Sequence, residues 1–142
     1  MPEFTSNALQ TVAAGQNVLF TETAVPCTIG AVLHREGSGI VTLRPRTCSC
    51  GCSNETLYKV SFGANIAIPT GGTVGAISLA IAINGEPIPT SSMIVTPAAV
   101  EEFWNVYASV FVSVPAGCCL SVAVENTSAE VISVQNANII IE

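Results

Sequence analysis

The chain has 142 residues, a length that suits one domain around one buried core and argues against two. Only 10% of the residues are charged and 49% are apolar, against roughly a quarter charged in an average soluble domain, a balance that excludes disorder. The net charge of −6 comes from ten Glu and no Asp against three Arg and the single Lys59, so no basic stripe for nucleic acid can be assembled.

In chain order, residues 1–12 are polar and rich in Thr, Ser and Asn, and they read as an N-terminal arm or connector ahead of a single domain over 13–142. A strand is predicted over 18–23, followed by a hairpin of 29–34 with 40–43 through Glu36-Gly37-Ser38-Gly39. From 58 to 68, Tyr58, Val60, Phe62, Ala64, Ile66 and Ile68 share one face, the period of a half-buried strand. Pro69-Thr70-Gly71-Gly72 supplies a turn. In 76–83, Ile77, Leu79, Ile81 and Ile83 alternate with Ala76, Ser78, Ala80 and Ala82, and Asn84-Gly85 is a hairpin signal. Pro87 and Pro89 place the extended segment 88–95 at an edge.

Residues 98–103 form at most one helical turn. Over 103–114, Trp104, Val106, Val110, Val112 and Val114 alternate with Phe103, Tyr107 and Phe111, so both faces carry large apolar groups. Pro115-Ala116-Gly117 turns the chain into a strand over 120–124, which ends at Asn126-Thr127-Ser128. The last strand, 131–141, closes on Ile139-Ile140-Ile141, and three consecutive isoleucines cannot all face one core. Part of this strand is therefore assigned to a subunit contact. The candidate interface is Trp104, Val106, Phe111, Ile139, Ile140 and Ile141. About eight short strands without a helix-period segment predict an all-β antiparallel sandwich.

Six cysteines form the other candidate site: Cys27, Cys48, Cys50, Cys52, Cys118 and Cys119. Vicinal cysteines pair with each other only under strain, so Cys118 and Cys119 each look elsewhere. Covalent cross-linking within and between subunits is the preferred reading, ahead of buried free thiols. A structural metal at Cys48, Cys50 and Cys52 ranks lowest, because Cys-x-Cys-x-Cys is tighter than zinc ligand pairs usually are. No cofactor is expected.

Catalytic chemistry finds little to work with. The only histidine, His34, reads as the polar end of a hairpin strand, with a pH-sensitive interface group as the rival. Glu101 and Glu102 are neighbours whose side chains diverge, so they read as solvated charges and not as a catalytic pair. Asn54-Glu55-Thr56 and Asn126-Thr127-Ser128 fit the glycosylation sequon and read as turns. Phe103, Trp104, Tyr107 and Phe111 read as core or interface ahead of a sugar platform. The first sixteen residues have no basic region and no apolar run, so synthesis in the cytoplasm without a signal peptide is expected. No apolar run reaches the roughly 18 residues of a membrane span.

Residues 10–16 leading into the first strand, the run Val60-Ser61-Phe62-Gly63-Ala64-Asn65-Ile66-Ala67-Ile68-Pro69, and the closing 134–141 resemble the tumour-necrosis-factor-like (TNF-like) jelly rolls. The nearest branch is the bacterial one found at the C-terminus of collagen-like spore-surface glycoproteins. The resemblance implies a jelly roll of eight to ten strands that trimerises about a three-fold axis. The chain departs from that branch in lacking a Gly-X-Y stalk and in its cysteine content. Both departures are shared, by analogy of assembly, with endospore appendage subunits.

The expected function is a non-enzymatic, self-assembling structural protein: a homotrimeric subunit of a spore or cell-surface fibre, appendage or layer, with contacts fixed by disulfides. Its only partner is itself, with no nucleic acid and no membrane. The alternatives are a virion decoration or head-fibre protein and a glycan- or receptor-binding trimeric head.

Overall fold

Side chains that alternate between apolar and small or polar build strands, and Gly, Pro and Asn at the breaks let the chain reverse. A computed structural model describes residues 1–27, 30–45, 55–117 and 119–142. In chain order these contain β1 (Glu3–Ser6), β2 (Gln10–Val12), β3 (Glu22–Val25), β4 (Val32–His34), β5 (Val41–Leu43), β6 (Glu55–Ala67) and β7 (Ile77–Ile83). There follow β8 (Glu86–Pro87), a short 3-10 turn at Pro89–Ser91, β9 (Met93–Val95), β10 (Trp104–Pro115), β11 (Leu120–Asn126) and β12 (Ile132–Ile141).

The strands form two antiparallel sheets. One runs β10-β6-β12-β1-β3, with β2 also on β12; the other runs β4-β5-β11-β7-β8, with β9 also on β7. Their inner faces meet in one core that includes Phe20, Phe62, Ile66, Leu79, Ile81 and Val124, each without solvent exposure. Such burial is the main favourable contribution to folding, at roughly 25 cal/mol per Å² of apolar surface.

The turn chemistry is met in detail. Asn84 (φ 50°) and Gly85 (φ 84°) both take positive φ, as a two-residue hairpin between β7 and β8 requires. Where β8 gives way to β9, buried Ser91 takes over part of the neighbour's role: its Oγ accepts the Ile81 N–H at 2.9 Å and donates to the Ile88 carbonyl at 2.7 Å. His34 ends β4 of the predicted hairpin, and its Nε2 donates to the Ser38 carbonyl at 2.9 Å across the turn. Its ring lies 4.4 Å from that of Phe4, so the imidazole covers the end of the core.

Three expectations are corrected. The supposed arm is part of the sandwich wall: β1 sits between β12 and β3, β2 pairs with β12, and Phe4 is 3% exposed. The short alternation of Phe4 and Ser6 was too brief to stand out in the sequence, yet both are buried. The strand expected over 18–23 begins instead at Glu22, because residues 17–21 cross between the sheets. Val18 N–H bonds to the Val124 carbonyl on one sheet, and Thr21 N–H to that of Thr5 on the other.

The third correction concerns the last strand. A bulge between Gln135 and Asn138, with Asn136 at φ 55°, switches the parity of β12. Ile132 and Val134 face inward before it; Ala137, Ile139 and Ile141 do so after it. Ile139 and Ile141 therefore fill the protomer's own core and offer no side chain to a neighbour. Ile140 alone of the three faces outward.

Candidate functional site

The outer face of the β10–β6 half of the first sheet carries three of the exposed large apolar side chains, Leu57, Tyr107 and Phe111. Residues directly opposite on antiparallel strands point to the same side, so register builds the face in rows. Tyr107 lies opposite Gly63 and then Asn138; Ser109 opposite Ser61 and then Ile140; Phe111 opposite Lys59; and Ser113 opposite Leu57. Tyr107 and Leu57 are each 63% exposed and Phe111 is 69% exposed. Gly63 leaves a notch there, since a Cβ would come within 3.1 Å of Asn138 Oδ1 and 4.0 Å of the Tyr107 ring.

Polar groups on this face bond to one another. Ser61 and Ser109 hydroxyls are 3.0 Å apart. Hydrogen bonds from Ser61 and, less strongly, Ser109 hold the Tyr107 phenol below its ordinary range, helped by the positive charge of Lys59. A row of amides runs across the strands beside Tyr107: Asn105 Nδ2 donates to Asn65 Oδ1, Asn65 Nδ2 to Asn136 Oδ1, each at 3.2 Å, and Asn136 Nδ2 to Asn7. No residue of β10 is charged; Lys59 and Glu55 lie one strand in.

The sequence-assigned interface residues thus divide by face. Val106 pairs with Ala64, points inward and is buried, which corrects its assignment to a contact. Its place in the alternation identifies it as core once the inner face of β6 is known. Trp104 also shares the inner side but is 46% exposed at the end of the strand. Phe111 and Ile140 lie on the outer face, together with Tyr107, which the sequence leaves as core or interface, and Leu57, which it does not single out. Their signal was present in the odd positions of β10 and β6.

Of the cysteines, Cys27 is half-buried against the core and Cys119 is exposed after the β10–β11 turn. Cys48, Cys50, Cys52 and Cys118 lie outside the described residues. Among the described residues no three His, Cys, Asp or Glu side chains gather in a metal-binding arrangement. Glu101 accepts a hydrogen bond from Thr70, and Glu102 from the Ala98 N–H at 3.0 Å, so the two carboxylates are engaged apart. Asn126 of the second sequon is fully buried, and Asn54 lies outside the described residues. Among the described residues no helix is long and apolar enough to cross a membrane.

Over 98% of this chain and 94% of the other, the sandwich superposes on the globular domain of zebrafish complement 1qA protein, with a TM-score of 0.61 at 14% identity. The fold is a TNF-like jelly roll. Looser likenesses join this jelly roll to PRD1 vertex protein P5, with a TM-score of 0.46 and 13% identity over 97% of this chain and 93% of that one. A third is to the C-terminal domain of EclA, a sugar-binding protein, with a TM-score of 0.37 and 14% identity over 84% and 88% of the two chains. No family model matches the sequence, and no curated protein matches it.

Proposed function

We propose that the protein is a non-enzymatic structural subunit that assembles with copies of itself through the outer face of the β10–β6 half. The observation that carries this reading is the exposure of Leu57, Tyr107 and Phe111 on one face whose edge strand holds no charge. Such a patch favours a protein contact over water. The assembly is a trimer or a multiple of it, as the jelly-roll resemblance implies, within a fibre or layer on a spore or cell surface. Disulfides from the cysteine set, with Cys119 exposed beside the β10–β11 turn, reinforce it.

Light scattering and electron microscopy of the purified protein, with and without reductant, test this. Particles larger than the 14.6 kDa chain, with extended forms lost on reduction, are expected. A monomer at high concentration would remove the reading.

The amide row beside Tyr107 favours one second reading, a glycan-binding head, because amides and an aromatic ring are what a sugar's hydroxyls and apolar face need. Glycan-array binding that is lost in Asn65→Ala, while assembly persists, would support it. Binding unaffected by that substitution would not.

A further inference from the structure

Among the described residues five strands other than β10 bound the two sheets, and each is short or interrupted; β2, on β12 alone, has three residues. β3 has four residues, starts at Glu22 and runs into Pro26; β4 has three and ends at His34-Arg35. β8 has two, one of them Pro87, and β9 has three before Pro97. Short length, charge and proline are the devices that keep a sheet edge from pairing with another chain. β10 has none of them before its final residue, Pro115. It is twelve residues long, uncharged, and pairs with β6 without a register shift. Among the described residues β6 is its one hydrogen-bonded neighbour strand, so the other side of its backbone has no strand partner there.

The order of residues along this edge says what fits it. About Ser109 the strand is a chemical palindrome: Ala108 mirrors Val110, Tyr107 mirrors Phe111, Val106 mirrors Val112, Asn105 mirrors Ser113 and Trp104 mirrors Val114. Small matches aliphatic, aromatic matches aromatic and polar matches polar. Moving the centre to Ala108 would set Phe111 against Asn105, and moving it to Val110 would set Phe111 against Ser109. Only the Ser109 centre joins like with like on both faces.

We propose that β10 pairs antiparallel with β10 of a second copy about a two-fold axis at Ser109, joining the two sheets into one. This contact is isologous, the same strand on both sides, so it closes on itself. It deepens the self-assembly reading and rests on it. Pairing acts in the plane of the sheet and leaves the outer face, now doubled in width, open for the other contact. Two kinds of contact, one about a two-fold and one about another axis, are enough to build an extended layer or fibre.

A charge exchange tests the register. Tyr107→Lys and Phe111→Glu each place a charge at an exposed position opposite an aromatic ring of the other copy, and each is expected to weaken two-fold association roughly tenfold in sedimentation velocity. The double variant sets each introduced ammonium against the other copy's introduced carboxylate and is expected to restore association. Those positions lie far apart along one strand, so no contact within a copy imitates the rescue.

Ser109→Cys is the second arm. Oxidation is expected to yield a dimer joined through position 109 of both copies, identified by peptide mass spectrometry. A double variant as weak as the singles, or cross-links at 107 or 111 in their cysteine variants and none at 109, would overturn the pairing. Protein that associates but forms no cross-link at 107, 109 or 111 in the cysteine variants would remove the edge contact and keep the self-assembly reading. Wild-type protein that remains monomeric would remove both.

Discussion

The hydroxyls of Ser61 on β6 and Ser109 on β10 lie 3.0 Å apart across a register in which the two residues are direct partners. This pair stands at the middle of the apolar outer face, between the rows of Tyr107 and Phe111, and supplies the hydrogen bonds that favour the Tyr107 phenolate. In the folded protein Tyr107 is thus expected to titrate below its ordinary value of 10.0. An acid whose folded value is lowered adds stability that is present above its unfolded value and lost as pH falls through the folded one. Ultraviolet difference titration of the wild type against Tyr107→Phe checks this. Ser61→Ala is expected to move the midpoint upward.

Ile139 and Ile140 separate folding from assembly. Ile139→Ala is expected to cost about 2–5 kcal/mol of stability in denaturant unfolding, because it opens a cavity under Phe62's strand, where Ile139 is fully buried. Ile140→Ala, on the outer face, is expected to change stability by less than about 1 kcal/mol and to weaken self-association instead. The reverse pattern would show that the parity switch in β12 is misplaced.

Asn126 is fully buried and its Nδ2 donates to the carbonyls of Val12 at 2.9 Å and Glu130 at 2.8 Å, while its Oδ1 accepts the Ser128 N–H at 3.0 Å. It ties β2, β11 and the turn before β12 together. Asn126→Ala strands buried polar groups and is expected to cost about 3 kcal/mol, read as a fall of roughly 10 °C in Tm.

Gly39 is close to the crossing segment. A Cβ there would stand 2.7 Å from the Val18 carbonyl oxygen and 2.9 Å from Asn17 Cβ. Gly39→Ala must push the backbone apart and is expected to destabilise by roughly 1–3 kcal/mol in thermal unfolding. Gly75→Ala, at a position where the added Cβ has open space, is the matched control and is expected to leave the melting curve nearly unchanged.

Residues 58–68, 77–83 and 104–114 announce their strands because alternation over many residues is a local property, and Asn84-Gly85 announces its hairpin because the turn needs positive φ at both positions. The bare edge of β10 is equally local, a run of twelve residues without a charge. Which face each side chain takes is different. The bulge at Gln135–Asn138 turns Ile139 and Ile141 inward, and no alternation rule within β12 reveals where the extra residue sits. Val106 was assigned to a contact because both faces of β10 are apolar, and the choice between them belongs to the sheet opposite.

From the chain by itself follow the all-β class, the long strands, their turns and the scarcity of charge, since each depends on neighbours a few residues apart. The tertiary structure alone decided that the N-terminal segment is a wall strand, that Asn126 is a buried clamp and that Tyr107, Leu57, Phe111 and Ile140 share a face. Those outcomes arise from pairings such as Glu3 with Ile140, between the two ends of the chain. Contacts so remote leave no periodic trace in a short segment, because their energy is shared between strands that the sequence does not place side by side.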